Sequence, residues 1–246
     1  MKLKKHLHKI FGSHTKEIQP TFSNVPQRPP IVLEKYYKEL KQYYHNCELE
    51  TKKWFVENAG SDWVYIDAGA NVGIYSILFS MLSPQGFIYA FEPTDTVCFL
   101  EKNLEINKCE NVKILQNALG SKSGHFDEKV FKIWGQKAET CKQPFTSVDD
   151  FCRKEKINKL DCIKIDVDSY DLEVLEGSVD TLMRFNPFIV VELNHALAKR
   201  NRSNSEAFEF LGKLGYEQAM VLEHENFVLK RGLVFSGNTE LTLKYR

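Results

Sequence analysis

YIDAGANVGIYSILFS, residues 65–80, joins an apolar run to a segment of helical spacing through a turn that carries Gly69 and Gly73. A strand, a tight loop and a helix in that order form the first half of a βαβ unit. The chain around it repeats the alternation. GFIYAFEP (86–93), VKILQNALG (112–120), LDCIKIDV (160–167) and PFIVVELN (187–194) have the apolar density of buried strands. TVCFLEKNLEIN (96–107), SVDDFCRKEK (147–156), SYDLEVLEGSVDTLM (169–183) and SNSEAFEFLGKLG (203–215) have helical periodicity. YEQAMVLEHE and ENFVLKRG (216–232) then form a closing antiparallel pair at a sheet edge. The expected fold is α/β, a doubly wound and mostly parallel seven-stranded sheet.

In such a sheet a ligand sits beyond the carboxyl ends of the strands, beside the first one. The loop that faces it there is not a dinucleotide loop. A G-x-G-x-x-G fingerprint lets the backbone approach a pyrophosphate, but here the middle glycine is Asn71 and the third is absent. A bulkier loop suits a ligand without pyrophosphate, and S-adenosylmethionine (SAM) is one. Asp67 can meet its cationic amino group, Gly69 and Gly73 permit the turn, and Asn71 can cap the helix that follows. Glu92, at the end of the second strand, can accept from both ribose hydroxyls, a device that dinucleotide enzymes share. Asn117 and Ala118, after the third strand, stand where the adenine edge would lie, with Asn117 able to pair with it or simply to form a turn.

These residues come in a specific order. The set YIDAGANVGIYS, AFEP, KNLEIN, QNALGSKSG, FTSVDDF, CIKIDVDSYDLEVLEG and PFIVVELN, from about residue 62 to 231, resembles the FkbM family of SAM-dependent methyltransferases. The resemblance implies a class I methyltransferase (Rossmann-like) fold and O-methylation, commonly of sugars or polyketide-type natural products. It leaves residues 1–55 as a helical N-terminal extension with a proline-containing connector, and residues 56–246 as the methyltransferase domain. One stretch departs from the family. Where IDVEG and an acidic residue are usual, this chain has Ile165-Asp166-Val167-Asp168-Ser169-Tyr170-Asp171.

Transfer of a methyl group to a sugar hydroxyl needs a base or a metal to take the proton. Asp166, Glu192 and His195 follow the fourth and fifth strands and can converge on the donor methyl. Asp166 is the expected base, His195 an alternative, and Glu192 an orienter of the acceptor. Asp166 and Asp168 form a D-x-D pair that can hold Mg²⁺, although Asp168 reads better as the N-cap of the next helix. The run KRNR (199–202) is a solvated loop or a contact for an acidic acceptor. The altered DVDSYD stretch also motivates a second reading, a degenerate fold that binds without chemistry. An NAD-dependent oxidoreductase, resting on the shared fold and Glu92, is a third.

Thirty-three Lys and Arg balance thirty-three Asp and Glu, so no global field draws the chain to nucleic acid. No run has the apolar length of a membrane span. Six scattered cysteines without a CxxC pair point to free thiols in a reducing, cytoplasmic setting. Residues 1–11 put Leu3, Leu7, Ile10 and Phe11 on one face of a basic helix, which could touch an anionic membrane surface but more often packs on its own domain. A second helix over EKYYKELKQYYHNCELE (34–50) carries Tyr36, Leu40, Tyr43, Tyr44 and Cys47 at core-facing spacing. It is a candidate roof for the acceptor pocket. The acceptor itself and the oligomeric state are not specified.

Overall fold

A computed structural model describes residues 15–18, 31–34, 48–130 and 138–232. Both N-terminal helical expectations, with the tyrosine stripe, lie almost wholly outside these residues. Within the stretch expected as a plain connector, Thr15–Ile18 (β1) is a strand that pairs antiparallel with Ile31–Glu34 (β2).

The main sheet is built from Val64–Ala68 (β3), Phe87–Phe91 (β4), Val112–Leu115 (β5), Cys162–Ile165 (β10), Phe188–Glu192 (β11), Tyr216–Val221 (β12) and Asn226–Arg231 (β13). Its order is β12-β13-β11-β10-β3-β4-β5. Five strands from β5 to β11 are parallel, and β13 inserts antiparallel between β11 and β12. The closing pair therefore is at a sheet edge, with its first strand outermost.

Helices cover both faces. Leu49–Asn58 (α1), Ile74–Leu82 (α2) and Val97–Ile106 (α3) pack Trp54, Phe55, Phe79 and Leu100 against Tyr65, Ile88 and Val190. Val148–Lys154 (α4), Asp171–Glu176 (α5), Val179–Phe185 (α6) and Asn204–Lys213 (α7) pack Phe151, Leu172, Leu182 and Leu211 against Ile66, Ile163 and Val191. Parallel strands buried on both faces need near-continuous apolar runs, and these strands have them. The boundary expected between residues 55 and 56 falls inside α1, whose Trp54 and Phe55 are buried in the core.

Two elements end earlier than periodicity suggests. The helix expected over 169–183 breaks between α5 and α6 at Gly177, which passes so close to Gly120 that a Cβ there would lie 2.2 Å from the Gly120 carbonyl oxygen. Asp149 then caps α6 from α4, accepting from the N–H groups of Asp180 (3.1 Å) and Thr181 (2.8 Å). The third strand stops at Leu115, and Ala118–Leu119 (β6) turns away to pair with Phe145–Thr146 (β9). Lys129–Val130 (β7) pairs with Glu139–Thr140 (β8) beside it. Together these short ribbons wall one side of the site.

Candidate active site

The carboxyl ends of β3, β4 and β10 open on a cavity. Gly69, Asn71, Glu92, Asp166 and Asp168 form its polar wall, and Phe91, Pro93, Ala118, Leu119, Phe145 and Tyr170 its apolar one. The sequence thus brought six expected residues to one place. Gly69 is required there: its φ is 84°, and a Cβ would lie 2.0 Å from the Asp166 carbonyl oxygen. Gly73 has φ 95° and packs against Leu100.

Glu92 is buried and tied to the loop. Its Oε2 accepts from the Asn71 N–H (3.0 Å) and its Oε1 from the Thr94 N–H (2.9 Å) and hydroxyl. Burial pushes its carboxyl up despite these bonds, and the charge of Asp168 adds to the rise. Asn71 does not cap α2. It lies two residues before Gly73, which holds the N-cap position, and is left-handed at φ 51°. Its backbone serves Glu92, while its Oδ1 is buried with no hydrogen-bond partner among the described residues. Asn117 does not line the cavity. Its amide donates weakly toward the Pro144 carbonyl (3.4 Å) and Thr146.

Behind the cavity runs a chain of charged groups. Asp67 is 1% exposed and accepts from the Ser76 hydroxyl (2.6 Å), and its Oδ1 has no partner among the described residues. Lys164 stands beside it in register on β10, also 1% exposed. It donates to Asp166 Oδ2 (3.0 Å) and lies 4.3 Å over the Tyr75 ring. Burial opposes the lysine's charge, but Asp166, Glu48 and Asp67 more than offset it and hold its pKa above the usual range. Sequence reasoning missed this lysine. Its signal was a cation in the middle of the otherwise apolar CIKI run, on the same pleat face as Asp166.

Asp166 and Glu192 share a hydrogen bond and divide their titration. Burial raises Glu192, and the Asp166 charge with its hydrogen bond raises it further. Burial also works upward on Asp166, but Lys164 and the Glu192 hydrogen bond outweigh it and leave Asp166 below the usual carboxylate range. The pair is therefore an ionised Asp166 accepting from a protonated Glu192. Glu192 touches the cavity only through Asp166. His195 is exposed at the start of the short helix His195–Arg200 and does not line the cavity.

Asp168 is not an N-cap. Tyr170 holds that position on α5, and Asp171 satisfies the loop instead, accepting from the Val167 (3.0 Å) and Ser169 (3.1 Å) N–H groups. Asp168 lines the cavity, and burial followed by the Asp166 charge pushes its carboxyl up to about 6. Among the described residues, no group of three or more His, Cys, Asp or Glu is placed to hold a metal ion. Two arginines of the KRNR run are neither solvated nor free for an acceptor. Arg200 lies 3.7 Å over the Tyr170 ring and pairs with Glu173 (2.9 Å) and Glu128 (3.3 Å). Arg202 pairs with Glu173 (3.4 Å), Glu206 (2.9 Å) and Glu176. This network fixes Tyr170, the cavity's aromatic wall.

Strand order and the position of the site define a class I methyltransferase fold. The chain belongs to the FkbM methyltransferase family, whose methyltransferase FkbM domain profile matches residues 67–217, a span that holds every residue of the cavity. It is 28% identical over 193 residues to the hexuronic acid methyltransferase AglP of Haloferax volcanii, covering 75% of this chain and 77% of that one. It is likewise 28% identical over 163 residues to the methyltransferase sdnD of Sordaria araneosa, covering 50% of this chain but only 62% of the relative. The structure of a methyltransferase FkbM from Methylobacillus flagellatus shares the fold, with a TM-score of 0.52 at 11% identity over 77% of this chain and 52% of that one. No helix among the described residues is long and apolar enough to cross a membrane.

Proposed function

We propose that the chain methylates a hydroxyl of a saccharide or related small molecule, with SAM as donor and Asp166 as general base. The observation that carries this reading is the single cavity that joins Glu92 to Asp166. Glu92 Oε2 keeps a free lone pair for a ribose hydroxyl beside its bond to Asn71. The Phe91, Pro93, Leu119 and Phe145 wall suits an adenine ring. When bound, SAM would supply an electrophilic methyl group on a cationic sulfur. Asp166 would take the hydroxyl proton: Lys164 and the proton held by Glu192 keep it ionised and ready to accept, at some cost in basicity. The named activity of the Haloferax volcanii relative supports a saccharide acceptor.

The test is incubation with methyl-labelled SAM and saccharide pools. Label should appear in a product that survives mild alkali, as an ether does and a methyl ester does not. In a thermal-shift assay SAM should stabilise the chain and NAD should not; the reverse pattern overturns the donor. Asp166→Asn should keep SAM affinity and lower turnover by about 10²-fold or more, the scale of a lost general base. Undiminished turnover in that variant would reduce Asp166 to a structural role.

A further inference from the structure

We propose that Asp168 reads the charge on the donor's sulfur and so favours SAM over its demethylated product, S-adenosylhomocysteine (SAH). The inference rests on the SAM reading above. The two molecules share adenosine and amino-acid ends, and differ by a methyl group and one positive charge at sulfur. A residue separates them by charge only if its own charge is free and faces that atom.

Asp168 is the residue of the cavity whose charge has no protein partner among the described residues. It lines the cavity together with Glu92 and Asp166, within electrostatic reach of each. Its carboxylate makes no hydrogen bond or ion pair among the described residues. Its acidic neighbours hold protein partners: Glu92 with Asn71 and Thr94, Asp166 with Lys164, and Asp171 with the loop. The orientation is imposed by the backbone. Asp168 has φ 54° and Ser169 φ 110°, and such left-handed pairs persist only where the surroundings enforce them. The surroundings here are the two N–H bonds to Asp171.

A free carboxylate in a partly enclosed cavity attracts a sulfonium more strongly than it would in water. During transfer the C–S bond breaks as the C–O bond forms, its electron pair stays on sulfur, and the hydroxyl proton passes to Asp166. Sulfur is then neutral, and the attraction to Asp168 is gone. The product is thereby held less tightly than the substrate, which eases its exchange for fresh SAM.

Calorimetry on the full chain tests this with SAM, SAH and sinefungin, which carries a protonated amine where SAM has its methylsulfonium. Wild type should bind SAM more tightly than SAH. Asp168→Asn keeps shape and tolerates the left-handed backbone, and should weaken SAM and sinefungin about tenfold, as expected for one lost charge-assisted contact. SAH affinity should move less than about threefold. Glu92→Gln, by contrast, should weaken all three alike, since the ribose is common to them. Equal changes for SAM and SAH in Asp168→Asn, or a wild type that prefers SAH, overturn the role of Asp168 and leave the donor reading intact. Failure of all three ligands to bind wild type overturns both. Asp168→Gly provides a second variant that the backbone accepts.

Discussion

Ser169 occupies φ 110°, in a region that glycine enters freely and L side chains do not. The backbone at Ser169 is the one a glycine would take. Ser169→Gly should therefore stabilise the fold. Relief of a strained φ amounts to about 1–3 kcal/mol, against roughly 0.4–1 kcal/mol for the greater freedom of the unfolded chain. The midpoint of urea unfolding should rise, and a fall would mean that the serine side chain contributes more than its strain costs. At this scale the sequence was legible where a rule acts over a few residues. Gly69 and Glu92 follow from the geometry of a strand end and a tight turn. Asn71 and Asp168 misled because a capping side chain must stand at the helix boundary, and each lies two residues upstream of it. Lys164 was passed over for another reason. A lysine in a strand is usually solvated, and only the register that sets it beside Asp67 explains its burial.

Among the elements, α1 depends most on distant contacts. LETKKWFVEN has its large apolar residues side by side at Trp54 and Phe55, not in a helical stripe, so periodicity gave no signal over residues 51–58. Docking makes the helix. Trp54 meets Phe188 edge-on at 5.2 Å, and Phe55 meets Phe79 at 4.7 Å. Its first turn is capped from the far end of the chain, where Glu223 Oε1 accepts from the Glu50 (2.7 Å) and Thr51 (3.2 Å) N–H groups. Glu223→Ala should cost about 1–2 kcal/mol of stability, the scale of a lost N-cap. Glu50→Ala leaves those N–H bonds in place and should cost no more than about 0.5 kcal/mol. Equal losses in chemical denaturation would show that the helix end is held by packing alone. The break after α5 is the same kind of case: the close pass of Gly177 over Gly120 joins residues far apart in sequence, and no local pattern announces it.

Across the whole molecule, strand order decides which charges meet. Inserting β10 between β3 and β11 puts Asp67, Lys164, Asp166 and Glu192 on one face at one end of the sheet. The sequence showed these strands but not that their charges would share protons, which follows from joint burial. A measurable pH dependence results. Glu192 titrates higher folded than unfolded, so its contribution to stability is complete below the unfolded value of about 4.3 and is lost as pH climbs through the folded one. Asp166 titrates lower folded than unfolded, so its contribution is present above about 3.9 and is lost only as pH falls through the folded value. Above neutrality only the Glu192 loss operates within the pair. Glu192→Gln keeps a hydrogen-bond donor toward Asp166 and cannot ionise. Its stability should exceed that of wild type by a margin that grows with pH, by at most about 1.4 kcal/mol per pH unit, up to the folded value of about 9 and then levels off. Melting temperatures of both proteins across pH 6 to 10 measure that margin. Parallel curves would mean that Glu192 gives up its proton well below neutrality, and that Asp166 works beside a second negative charge.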